Sequence, residues 1–97
     1  MNELLLVASI AERDTLRYTP AGIPIVSGTL QHRSEQTEAR VARQIEFEIA
    51  AVAAGEISGR FAGAELGAVH EFRGFLARKS RNSKALVFHI IDFSGVA

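Results

Sequence analysis

The residues of this chain with the most to offer chemically are the cations of a short polar stretch, Arg78-Lys79-Ser80-Arg81-Asn82-Ser83-Lys84. Together with Arg73 they form a run free of acids between Glu71 and Asp92, whereas Glu35, Glu38, Glu46, Glu48, Glu56 and Glu65 gather in the middle of the sequence. Guanidinium and ammonium groups donate to phosphate oxygens, and a flexible turn lets them follow an irregular single strand, so the stretch suits a polyanion. A charged tip that only keeps the sheet soluble is the plain alternative. Arg13, Arg17, Arg33 and Arg43 extend the basic track if the fold gathers them on one side. Tyr18 and Phe75 are candidates for stacking on bases, while Phe47, Phe72, Phe88 and Phe93 read first as core.

Covalent chemistry has little to stand on. The sequence contains no Walker-type phosphate loop, dinucleotide fingerprint, Gly-x-Ser-x-Gly elbow or pair of histidines one helical turn apart. Ser58 lies in Gly55-Glu56-Ile57-Ser58-Gly59, the wrong spacing for the elbow. His32, His70 and His89 stand singly, without neighbours at metal-ligand spacing, and His70 and His89 read as strand residues with a satisfied ring nitrogen. Glu46 and Glu48 share a strand face with no apolar pocket to separate their titrations, so a solvated face is the simpler reading. No catalytic residue, metal or cofactor is expected.

Composition bounds the rest. A chain of 97 residues buries about 60 to 65% of its unfolded surface, enough for one modest core, and 1–97 is read as a single domain. Eleven Lys and Arg balance eleven Asp and Glu, so the distribution of charge rather than its sum points to a polyanion. The absence of cysteine excludes disulfides and thiolate chemistry and fits a reducing cytoplasm. The apolar run Leu4 to Ala11 is too short to span a membrane and follows Glu3 with no cation ahead of it, unlike a signal peptide. Gly55, Gly59, Gly63 and Gly67 copy a membrane packing spacing, but Glu56, Arg60 and Glu65 forbid a span.

The elements that position these residues are mostly strands. Leu4 to Ala11 is a buried strand, Thr15 to Tyr18 a short alternating piece, and Tyr18 to Pro24 a turn built on Pro20, Gly22 and Pro24. A second strand runs from about Ile25 to Arg33, and the polar segment Ser34 to Ala42 reads as a long mobile loop. Val41, Arg43, Ile45, Phe47 and Ile49 then alternate with Ala42, Gln44, Glu46 and Glu48, a period of two that predicts a strand with one core face and one acidic face. Ala53 to Leu66 predicts a short frayed helix or a loop, weakened by its glycines. Ala68 to Ala77 and Ala85 to Ser94 are the last strands, joined by the basic stretch as a hairpin. Three strands, a short helix and two strands is the order of an OB-fold, a five-stranded Greek-key barrel that is all-β apart from that helix. Gly74, in His70-x-Phe72-x-Gly74-x-Leu76, permits the sharp coil of such a barrel or marks a bulge. The first and last strands look apolar on both faces, which predicts a homodimer.

Pro20-Ala21-Gly22-Ile23-Pro24, Leu30-Gln31-His32-Arg33-Ser34, Arg43-Gln44, Gly74-Phe75 and the basic hairpin, in that order, resemble the primosomal replication protein N family, known as PriB. The resemblance implies a non-catalytic OB-fold homodimer that binds single-stranded DNA and stimulates the PriA helicase in replication restart, with DnaT as a possible further partner. It places Arg13, Arg17, Arg33 and Arg43 where the family has basic residues, and Lys79, Arg81 and Lys84 in the loop that contacts DNA and helicase, next to the candidate Arg78. The family's exposed tryptophan after Arg43 is missing: Ile45-Glu46-Phe47-Glu48 stands there, leaving Phe47 as the aromatic candidate. A base stack is worth about 1 to 3 kcal/mol, so this exchange for acidic side chains predicts DNA binding weakened about tenfold or more. Two further readings follow: a module that docks the helicase with little DNA contact, and a general single-strand-binding protein, which usually carries a long acidic-tipped tail where this chain stops at Ala97.

Overall fold

The computed structural model describes residues 1–96; Ala97, the last residue of the expected domain, lies outside the described residues. Five strands close a barrel: β1 (Leu4–Arg13), β3 (Pro24–Glu38), β4 (Val41–Ala54), β5 (Val69–Arg78) and β6 (Leu86–Gly95). A two-residue strand, β2 (Arg17–Tyr18), lies along β3, and one short helix, α1 (Ile57–Gly63), joins β4 to β5. The sheet order is β1-β5-β6-β4-β3-β2, and β1 closes the ring by also pairing with β3. Neighbours are antiparallel except β4 and β6, which run parallel over Ala51–Ala53 and Phe88–Ile90. This is the OB-fold that the strand order predicts, with the helix in the predicted place. No helix among the described residues is long and apolar enough to cross a membrane.

Period-two alternation decides what the barrel encloses. Leu6, Ala8 and Ile10 of β1, Val26 and Leu30 of β3, Ala51 and Ala53 of β4, Phe72 of β5 and Phe88, Ile90 and Phe93 of β6 point inward and are buried. Phe61 of α1 closes one end, its ring edge-on to Phe72 and Phe93 at 6.4 and 6.2 Å. Burying such a side chain stabilises by about 1.5 to 3 kcal/mol. That anchor, with two tethers, is why a glycine-rich segment becomes helix here. Arg13 donates to the carbonyls of Phe61 and Ala64 at the helix end, and Arg60 pairs with Asp92 at 2.8 Å while lying over the Phe93 ring.

Gly74 lies where the pairing of β5 with β6 shifts register after Arg73. A Cβ at this position would run into the carbonyl oxygen of His89 and the ring of Phe88. Bulge and close approach are therefore one feature, and only glycine fits it.

The segment Ser34 to Ala42, predicted as a mobile loop, is instead the tip of a long hairpin. β3 and β4 stay in register from Ile25↔Ala54 to Glu38↔Val41, which at about 3.3 Å per residue gives a ribbon roughly 45 Å long. It accounts for the 50 Å length of the molecule. Ala39 and Arg40 turn the chain with φ of 51° and 65°, the left-handed pair that a two-residue hairpin turn requires. The distal half of this arm pairs only with itself, so the predicted core face of β4 is a core face only at its root. Ala51 and Ala53 are buried, whereas Val41 and Phe47 are exposed.

Candidate nucleic-acid interface

The first strands bring a basic residue to the outer surface at Arg17. β2 hydrogen-bonds to β3 through Arg17↔Ile25, and the Arg17 guanidinium donates to the Ser27 hydroxyl at 3.2 Å. Across the barrel, β5 ends at Arg78, and the Lys79 N–H donates to the Ala85 carbonyl at 2.9 Å, which ties the neck of the basic hairpin. Arg78 and Lys79 thereby face Arg17 over one groove of about 550 Å³. Its floor is made of small residues from the two central strands, Ser27, Gly28 and Thr29 of β3 and Ala50, Ala51 and Val52 of β4, with Val87 and His89 of β6 beside them. Glu12 and Asp14 also line it. Gly28 points inward with Val26 and Leu30, where a Cβ would approach the Glu12 carbonyl oxygen to 2.6 Å and the Phe61 ring to 3.2 Å, so glycine lets β3 cross β1 closely there.

The remaining predicted site residues fall into four places. Arg81 and Lys84 are exposed on the tip of the same hairpin, next to the groove's basic wall. Arg13 is half-buried with its guanidinium on the carbonyls of α1, where it holds the helix. Tyr18 is exposed beside Arg17 but does not line the groove.

Arg33, Arg43 and Phe47 lie on the arm. Arg33 faces Glu46 across the ribbon at 3.5 Å, and Arg43 binds Glu38 at 2.7 Å. Strand alternation puts Arg33 on the surface that continues the groove floor outward, in company with Glu46 and Glu48, and puts Arg43 and Phe47 on the opposite surface. Phe47 packs beside His32, ring centroids 4.9 Å apart. His32 in turn donates from Nδ1 to the Val7 carbonyl at 2.7 Å and accepts at Nε2 from the Ser34 hydroxyl at 2.8 Å, fastening the arm's root to β1. Phe47, read first as core, is thus half out of the protein.

Two histidine expectations change. Both ring nitrogens of His70 are buried without a hydrogen-bond partner among the described residues, and the ring is held edge-on to Phe72 and Phe93 instead. His89 is part of the groove wall. Sequence reasoning missed His89 and the small-residue floor, although the alternation of Phe88 and Ile90 with His89 already turned the imidazole outward.

The topology with this cleft across its middle strands defines an OB-fold domain, a class whose central face and neighbouring loops bind oligonucleotides. Residues 2–92 match the model of a family described as another single-strand binding protein family. The replication restart protein PriB of Nitrosomonas europaea is 38% identical over 91 residues, spanning 94% of this chain and 84% of that protein. The PriB of Bordetella pertussis is 38% identical over 90 residues, spanning 93% and 84%. A solved structure of PriB from Ralstonia solanacearum matches with a TM-score of 0.92 at 44% identity, covering 100% of this chain and 99% of that one. The chain belongs to the PriB family of replication restart proteins.

Proposed function

We propose that this protein binds single-stranded DNA without catalysis, as a cytoplasmic accessory factor of replication restart. The observation that carries the reading is the convergence of Arg17, Arg78 and Lys79 on one groove from opposite sides of the barrel. None of the three has a carboxylate in salt-bridge contact among the described residues, so each is available to a phosphate. Arg81 and Lys84 extend the track at the hairpin tip. The curated PriB relatives are named for replication restart, which supports action beside a PriA-type helicase, with DnaT as a further partner. Leu5, Val7 and Ile91 stand exposed on the outer surfaces of β1 and β6, which supports a homodimer that covers them.

The test is a fluorescence-anisotropy titration of labelled oligo-dT over a salt series. Five phosphate contacts at about −0.7 each predict a slope of log affinity on log salt near −3.5. Binding that ignores salt overturns the reading. A second reading, a helicase-docking module with minor DNA contact, is favoured by one feature: Glu46 and Glu48 occupy the arm surface that continues the groove. Alanine at Lys79, Arg81 and Lys84 separates the two, because a loss of helicase binding alone selects the docking module.

A further inference from the structure

His89 of β6 pairs with Phe75 of β5, and the two rings lie parallel, 3° between planes, with centroids 4.8 Å apart. That separation equals the strand spacing of a sheet, about 4.7 to 4.9 Å, so the rings stand side by side, one per strand, on the outer surface. On the other side of His89 the register continues to Val52 of β4 and then to Ser27 of β3. The row across the barrel is therefore ring, ring, short aliphatic, hydroxyl. His89, Val52 and Ser27 border the groove, and Phe75 stands behind His89, outside it. The ring stack thus stops where the groove begins, above a floor too low to continue it.

We infer that His89, steadied by Phe75, is a base-stacking platform: a nucleobase enters the groove over Val52 and lies face-on against the imidazole as the third ring of the row. This rests on the single-strand reading above and adds to it the site where a base, not a phosphate, is held. The cations on both walls fix the backbone at the rims, which turns bases toward the floor. There a planar group meets a π-face already held in place by Phe75, so little side-chain freedom is lost on binding. Every base offers such a face, so the platform gives affinity without a sequence preference.

The experiment compares H89A, H89F and wild-type protein against two oligonucleotides of equal length at one salt concentration, oligo-dT and its abasic counterpart. H89A is expected to weaken oligo-dT binding about fivefold or more and to leave abasic binding unchanged, while H89F restores oligo-dT binding to within about twofold of wild type. In wild-type protein, oligo-dT but not the abasic strand shifts the His89 ring-proton resonances upfield, a readout that needs no variant to fold. Oligo-dT affinity unchanged in H89A, or lost equally for both strands, or no resonance shift, overturns the platform while salt-dependent wild-type binding keeps the single-strand reading intact. A wild type that binds neither oligonucleotide overturns that reading and the platform with it.

Discussion

The groove and the arm are built from the same two strands, β3 and β4, and both carry arginines, yet they treat those arginines in opposite ways. In the groove the central strands contribute only small side chains, and the cations come from elsewhere, Arg17 from β2 and Arg78 and Lys79 from the end of β5. On the arm each strand supplies its partner's counter-ion, Glu46 for Arg33 and Glu38 for Arg43. Exposed pairs of this kind are worth only about 0 to 1 kcal/mol. They contribute little to stability, but a resident carboxylate cancels the local field that a phosphate would feel. Counting basic residues therefore overstates the binding surface, and what matters is which of them lack a carboxylate partner.

The comparison breaks most readily by reversing charge. R78E with K79E is expected to weaken single-strand binding by more than about a hundredfold at low salt, while R43E on the arm, at a guanidinium already paired with Glu38, changes it by less than about threefold. Anisotropy titrations of these two variants and the wild type check both halves. Removing the arm's acids sharpens the contrast from the other side. E46Q with E48Q frees Arg33 on the surface leading out of the groove, and should tighten binding about threefold with a salt slope steeper by about 0.7. F47A is a smaller case. Because Phe47 sits on the surface facing away from the groove's continuation, its loss should alter oligo-dT affinity by less than about twofold, against the tenfold or more that a stacking aromatic would cost.

The smallest effect concerns the scaffold. The Arg60 guanidinium, then the Phe93 N–H, hold the Asp92 carboxyl below its ordinary value of 3.8. A depressed folded value means the pair's stabilisation is fully present above the ordinary value and is lost as pH falls through the folded one. The Tm difference between wild type and D92N should thus be constant from pH 7 to pH 5 and shrink as acidification protonates Asp92. Because the pair is exposed, the whole change is slight.

Much of the barrel is legible because its strands stand out as apolar or period-two runs bounded by turn residues, although Leu4 to Ala11 and Leu86 to Phe93, apolar on both faces, do not themselves say which side is inside. The helix is ambiguous in the sequence because its glycines speak against it locally, and only the burial of Phe61 among Phe72 and Phe93 decides the matter. The arm's tip, Ser34 to Ala42, imitates a loop for two reasons. Its turn uses Ala39 and Arg40, neither of which announces a left-handed backbone, and the outer end of β3, Ser34 to Glu38, is polar on both surfaces. The basic hairpin stands out in the sequence because four cations fall within seven residues, Arg78 to Lys84, with no acid among them. The groove does not, because Arg17, Gly28, Val52, Lys79 and His89 meet only through pairings among strands distant in sequence, and no local pattern records a register.

The central claim is that the cations without carboxylate partners, and not the paired ones, hold the nucleic acid. The most direct measurement is the salt dependence of oligo-dT binding for wild type, R17A/R78A/K79A and R33A/R43A. The groove variant should show a slope shallower by about 2 and the arm variant an unchanged one. Equal losses in the two variants, or a larger one on the arm, would contradict it.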